Sequence, residues 1–121
     1  MCGIAGIIGH RRVNSDAVEH MNLLQEHRGP DDSGLWKSAD GKVVFGHQRL
    51  SIIDTSSAGH QPMEAGSHVI TFNGEIYNYL EIGAELKAEG VELSSSSDTE
   101  VLLKAYQTWG EDVLDKLNGM F

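Results

Sequence analysis

At 121 residues the chain is at most one small domain, and its 40% hydrophobic content fits an ordinary globular protein rather than a disordered one. Nine Lys and Arg against 18 Asp and Glu give a formal charge of -9, which repels phosphate backbones and anionic lipids and excludes neither small ligands nor protein partners. Nucleic-acid and membrane binding are therefore not expected. The single cysteine rules out an intrachain disulfide and fits a reducing, cytoplasmic setting.

The lone cysteine is residue 2, at the head of Cys2-Gly3-Ile4-Ala5-Gly6-Ile7-Ile8. Residues 3–8 are small and apolar and predict a buried strand. This run ends at His10-Arg11-Arg12, has no basic leader and is too short to cross a bilayer. Asn14 or Ser15 then caps a predicted helix whose inner face is Ala17, Met21 and Leu24. Pro30 stops it, because the residue before a proline is driven out of the helical region.

Residues 35–37 and 42–47 predict paired strands around the turn dipeptide Asp40-Gly41, and 50–53 and 69–72 predict two more. A helix is expected over 78–89 with Tyr79, Ile82 and Leu86 inward and Gly90 ending it. Ser94-Ser95-Ser96-Ser97 reads as a polar loop of little weight. Ser97 and Glu100 have capping-box spacing, and Leu102, Ala105, Tyr106 and Trp109 form the expected stripe of the next helix. Val113, Leu114 and Leu117 suggest one more short helix. Asn118-Gly119 predicts a turn, after which Met120-Phe121 starts a strand with nothing after it, so the chain is expected to be a fragment of a longer protein or a truncated reading frame. The mixture is α+β or α/β, which periodicity alone does not separate.

Four features carry chemistry. Cys2, once Met1 is removed, has a thiol and a free α-amine on one residue; that amine titrates near neutral pH and takes the thiol's proton, usually through a water. By position alone the favoured reading of Cys2 is a small buried apolar residue at a strand end. Asn73-Gly74 is a favoured turn, and also a side-chain amide beside a backbone N–H, two donors suited to an oxyanion. The run after it reads as a helix entry rather than a return strand. Arg49, between two apolar stretches, is either a solvent-face arginine or a fork for a carboxylate. Asp98 lies in a first helical turn, where the dipole alone favours a carboxylate. Six scattered histidines without C-x-x-C or H-E-x-x-H make a metal site weak, and no phosphate-binding glycine loop is present.

Cys2-Gly3-Ile4-Ala5-Gly6 and Ser97-Asp98-Thr99-Glu100, in that order and spacing, resemble the class II glutamine amidotransferases, glutaminase domains with an N-terminal cysteine nucleophile. Intervening runs narrow the resemblance to the asparagine synthetase branch: His27-Arg28-Gly29-Pro30-Asp31-Asp32-Ser33-Gly34, Arg49-Leu50-Ser51-Ile52-Ile53-Asp54, Gly59-His60-Gln61-Pro62-Met63 and Phe72-Asn73-Gly74-Glu75-Ile76-Tyr77-Asn78-Tyr79. The tyrosine-arginine-glycine and arginine-tryptophan-alanine forms of the sugar-phosphate and phosphoribosyl relatives are absent.

The resemblance implies that residues 1–121 are part of a glutaminase domain, truncated at its carboxy-terminal end, with the synthetase domain outside this chain. The implied fold is the four-layer αββα sandwich of N-terminal nucleophile hydrolases, with mostly antiparallel sheets. Implied roles are Cys2 as nucleophile, Asn73 and the Gly74 N–H as oxyanion hole, Arg49 for the glutamine α-carboxylate, and Asp98 with Glu75 for its α-ammonium. The backbone at Leu50, Ile52 and Ile53 lines the pocket. Glutamate and ammonia are the products, and the ammonia serves ATP-dependent amidation of aspartate to asparagine. No cofactor or metal is implied for the glutaminase; ATP and Mg belong to the synthetase domain. A homodimer is one expected assembly of the full-length protein. The alternatives are an amidotransferase of a sugar or secondary-metabolite pathway and a non-catalytic truncated fragment. Retained Met1 would tie up the α-amine of Cys2 and remove its base.

Overall fold

The apolar run after Cys2 forms strand β1, Gly3–Ile8, in the computed structural model, which describes residues 1–121. Two compact units divide the chain. The first comprises Met1–Ser51, His60–Pro62 and Thr71–Asn73; the second comprises Ile52–Gly59, Met63–Ile70 and Gly74–Phe121.

The first unit is a three-stranded antiparallel sheet with one helix against it. Strands β2, Asp32–Lys37, and β3, Val43–Arg49, form a hairpin, and β1 pairs on the other side of β3 with Gly3 opposite Gln48. The Asp40-Gly41 turn works as expected. Asp40 Oδ1 accepts from Lys42 N at 3.0 Å and Ser38 Oγ at 2.8 Å, and Gly41 has φ +71°, the left-handed region that favours glycine. These bonds, the Lys42 N–H foremost, hold the Asp40 carboxyl below its ordinary pKa.

Helix α1, Ser15–Leu24, is capped by Asn14, whose side chain accepts from Asp16 N at 3.0 Å. Its buried face is not the expected one. Val18 and Asn22 point inward, whereas Met21 and Leu24 are 41% and 65% exposed. The reason is polar. Asn22 Nδ2 reaches Ser33 Oγ, Gly34 O and His47 O at 3.1, 3.2 and 3.1 Å, tying the helix to β2 and β3. Gly46 leaves the room: a Cβ there would stand 3.1 Å from Asn22 Cγ and 3.3 Å from Val18 Cγ1. Because successive side chains alternate across a strand, α1 covers only one face of β1. Ile4 and Ile8 stay exposed, which corrects the expectation of a fully buried strand.

In the second unit, β4, Met63–Ala65, and β5, His68–Ile70, make a short antiparallel hairpin. Strand β6, Glu75–Ile76, pairs antiparallel with β7, Gly119–Met120. Strand β7 thus starts one residue earlier than expected, taking in Gly119, and Phe121 lies outside it. Helices α2, Tyr79–Ala88, and α3, Asp98–Trp109, pack together over Ile76, Ile82, Leu86, Val101, Leu103, Ala105 and Val113. Gly90 follows α2 at φ +86° as a helix terminator should.

The strands expected at 50–53 and 69–72 and the stripe of α3 differ from expectation. Residues 50–53 form no strand, and 69–72 is strand only as far as Ile70. The buried residues of α3 are its first turn, 98–100, with Val101, Leu103 and Ala105, whereas Leu102 and Trp109 are half-buried and Tyr106 is exposed. The last short helix is a 3-10 turn, Gly110–Asp115, in which Val113 is buried and Leu114 exposed. The class is mixed helix and sheet with antiparallel pairing in every sheet.

Candidate active site

Cys2 stands immediately before β1, and the register of β1 on β3 carries it to the chain just beyond Arg49. Leu50 N donates to the Cys2 sulfur at 3.3 Å, with Leu50 O 3.7 Å from the same atom. An N–H aimed at sulfur offers a positive dipole to any charge that develops there. The Cys2 carbonyl accepts from Arg28 Nε at 3.0 Å, so the residue is held at its backbone as well as its side chain. The thiol is half-buried.

Arg49 ends β3 as a buried cation. The segment around it is held from outside the sheet by the run that follows α1. Asp31 N donates to Arg49 O at 3.0 Å, and Ser51 N donates to Asp31 Oδ2 at 2.8 Å. Gly29 makes this possible, because a Cβ there would overlap the backbone of Gln48 and Arg49.

Asn73 follows Phe72, whose two backbone groups are both taken by side chains. Phe72 N donates to Gln61 Oε1 at 2.7 Å, and Phe72 O lies 3.1 Å from His47 Nε2. A carbonyl only accepts, so His47 Nε2 carries a proton. Burial, ahead of other effects, pushes the His47 pKa down and favours the neutral ring. Its Nδ1 is then a buried lone pair without a partner.

In the second unit, Glu75 opens β6 and Asp98 opens α3. The link between them is Ile76 N, which donates to Asp98 Oδ2 at 3.1 Å. Asp98 is buried, and burial raises its pKa; the N–H groups of Ile76 and Thr99 oppose the rise and the charge of Glu75 adds to it. Glu75, one residue before Ile76, is close enough for its charge to act on Asp98.

The serine loop before α3 turns out to be a scaffold. Glu100 accepts from the N–H and hydroxyl of both Ser94 and Ser95, at 2.5 to 2.8 Å. Burial works against the Glu100 charge, yet these four bonds outweigh it and its pKa falls below the ordinary value. Ser96 donates N–H and hydroxyl to Asp54 Oδ2, both at 3.1 Å, while Ser56 donates twice to Oδ1. The Ser56 and Ser96 bonds lower the Asp54 pKa to about 2. Ser97 caps α3 by accepting from Thr99 N at 3.2 Å. The expected capping box is thus split: Ser97 plays its part, but Glu100 turns to Ser94 and Ser95 instead of the cap N–H.

Of the residues singled out by sequence, Cys2, Arg49, Leu50 and Asn73 belong to the first unit. Gly74, Glu75, Asp98, Ile52 and Ile53 belong to the second. Cys2 meets Leu50, and Asp98 meets Ile76, the residue after Glu75. Ile52 and Ile53 lie in an irregular, exposed stretch. The helix entry expected after Gly74 is preceded by the two residues of β6. Sequence reasoning missed His47, Gln61, Asn22 and Asp54, each a buried polar group inside a run read for other reasons.

Over residues 1–121 the chain matches the glutamine amidotransferase domain family. The chain belongs to that family. Asparagine synthetase (glutamine-hydrolyzing) 1 of Bacillus subtilis is 43% identical over 128 residues, covering 100% of this chain and 20% of the relative. Asparagine synthetase B (glutamine-hydrolyzing) of Escherichia coli is 40% identical over 129 residues, 100% of this chain and 22% of its own length. The Zea mays asparagine synthetase (glutamine-hydrolyzing) is 43% identical over 127 residues, with 100% and 21% covered. The amidotransferase domain thus spans about a fifth of the length of the curated relatives it matches. No three His, Cys, Asp or Glu side chains of this amidotransferase domain converge as a metal ion would require. No helix is long and apolar enough to cross a membrane.

Proposed function

We propose that this amidotransferase domain hydrolyses glutamine through a thioester on Cys2, and that the ammonia amidates aspartate in an ATP-dependent synthetase domain of the same cytoplasmic enzyme. The observation that carries the reading is the 3.3 Å approach of Leu50 N to the Cys2 sulfur, which sets the thiol beside the residue following Arg49. A nucleophile and a buried cation on adjoining strands suit a substrate with an electrophilic amide and an α-carboxylate.

The chemistry follows in order. With Met1 removed, the α-amine of Cys2 takes the thiol proton, and sulfur attacks the side-chain carbonyl carbon of glutamine. The oxyanion is met by the Asn73 amide and the Gly74 N–H. Collapse breaks the C–N bond, the α-ammonium of Cys2 returns its proton to the leaving nitrogen, and ammonia departs. Water then cleaves the thioester to glutamate. Arg49 holds the substrate α-carboxylate, Asp98 and Glu75 its α-ammonium, and the backbone at Leu50, Ile52 and Ile53 lines the pocket. Met1 is 61% exposed, open to the peptidase that this scheme needs. For the architecture we propose the four-layer sandwich of N-terminal nucleophile hydrolases, supported by the antiparallel sheet with α1 on one face and Cys2 at its strand end.

The test is intact mass spectrometry after exposure to a diazo-ketone analogue of glutamine. A processed chain lacking methionine and carrying one adduct, absent in Cys2→Ala, supports the reading. A processed, folded chain without an adduct overturns it.

A further inference from the structure

We propose that His47 and Gln61 are positioning residues for Asn73, acting as a two-sided clamp on the Phe72 peptide groups that deliver the Asn73 amide to the oxyanion. The inference rests on the glutaminase reading for its catalytic consequence and on the geometry of the first unit for the clamp itself.

Phe72 lies in a stretch without regular structure, just beyond β5, so no ladder bonds fix it. Its N–H goes to Gln61 Oε1 at 2.7 Å and its C=O to His47 Nε2 at 3.1 Å. Both side chains are themselves anchored. His47 sits in the central strand β3, wholly buried, with its own carbonyl accepting from Asn22. Gln61 lies against β2 because Gly34 has no side chain; a Cβ there would overlap the Gln61 carbonyl oxygen. The neighbouring His60 adds a tether, its Nδ1 standing 2.7 Å from Asp32 Oδ2 on β2. Each peptide group of Phe72 is thereby referred to a different strand of one sheet. The neighbouring residue, Asn73, inherits that placement.

The chemistry of the two side chains matches the task. Gln61 offers an amide oxygen, a neutral acceptor for an N–H. His47 offers one N–H, to Phe72 O, while its second nitrogen is without a partner, so the ring serves as a single directed donor. A leucine would fill the space but leave the Phe72 carbonyl without its donor. An oxyanion donor acts only when aimed at the position of the developing charge, and a displacement of about 1 Å costs about 100-fold.

The test measures glutamine hydrolysis and amide hydrogen exchange in the intact protein for His47→Leu and for Gln61→Met, the second being the milder change should the first fail to fold. Expected is a fall in kcat of about 10- to 100-fold with KM for glutamine within about twofold, since the affected donor works in the transition state. Exchange at Phe72 and Asn73 should quicken while that of β1 and β3 is kept. In an Asn73→Ala background neither substitution should lower kcat further, because a clamp acts only through the residue it positions. A full additional loss in that background, or a KM that rises in step with the fall in kcat/KM, overturns the proposal. Wild-type protein that is processed yet does not hydrolyse glutamine overturns the glutaminase reading; exchange at Phe72 and Asn73 unchanged by both substitutions overturns the clamp.

Discussion

The buried carboxylate of Asp98 accepts the backbone N–H of Ile76 at 3.1 Å, and the residue before Ile76 is a second carboxylate, Glu75. Folding therefore brings negative charge out of water and beside like charge, which raises the Asp98 pKa through burial first and Glu75 last. A folded pKa above the unfolded value favours the protonated form. Its contribution to stability is complete below the unfolded carboxyl pKa and is lost as pH rises through the folded one.

Asp98→Asn should therefore raise stability to urea at pH 7, and the gain should vanish in acid below the unfolded carboxyl pKa, about 3.9. Asparagine keeps an acceptor for Ile76 N. If Asp98 holds the substrate ammonium as proposed, the same variant should lower kcat/KM for glutamine by about 100-fold or more. Paired urea titrations at the two pH values check the sign, and an Asn variant that is weaker at pH 7 would refute it.

Asp54 has the opposite linkage. The Ser56 and Ser96 bonds hold its folded pKa at about 2, below the unfolded value, so its contribution is present above the unfolded pKa and is lost as pH falls toward 2. Asp54→Asn should be less stable than the parent at pH 7 and converge with it near pH 2. Acid titration of both proteins by circular dichroism reads the convergence; a constant gap across that range counts against the account.

Asn22 gives a packing prediction with polar content. Asn22→Leu fits the volume but strands Gly34 O, His47 O and Ser33 Oγ as far as they depend on the amide. A loss of about 2–3 kcal/mol is expected from denaturant unfolding. An equal or more stable leucine variant would show that the amide is replaceable.

Glu100→Gln tests the serine scaffold. Four donors converge on the two Glu100 oxygens, and an amide turns two hydrogens toward donors that need an acceptor. The expected destabilisation is about 2 kcal/mol. Because the loop leads into Ser97 and Asp98, KM for glutamine should rise as well. Unchanged KM with lowered stability would confine the scaffold to folding.

Much of the strand and helix content was readable from local pattern. The Asp40-Gly41 hairpin, the Asn14 and Ser97 caps and the Gly90 stop depend on a few neighbouring atoms, and each occurs as expected. Faces were harder. The stripe of α1 was read from apolar residues, but Asn22 outweighs Met21 and Leu24 because three oxygens across the sheet have use for its N–H groups. The role of the serine run is not legible locally, since nothing near it in sequence reveals that Asp54 and Glu100 accept from it.

Sequence by itself determined the family, because ordered motifs such as Cys2-Gly3-Ile4-Ala5-Gly6 and Ser97-Asp98-Thr99-Glu100 are chemical patterns that survive without coordinates, and the match runs over residues 1–121. It also nominated the candidate reactive groups by type: a thiol, a guanidinium, two carboxylates and an amide. Tertiary structure alone decided their electrostatic state and their support. The partner of the Cys2 sulfur is 48 residues away in the chain, that of the His47 ring is 25 residues away, and that of the Asp98 carboxylate is 22. Hydrogen bonding and desolvation act through space over a few ångströms, so they are set only when the strands and helices have met.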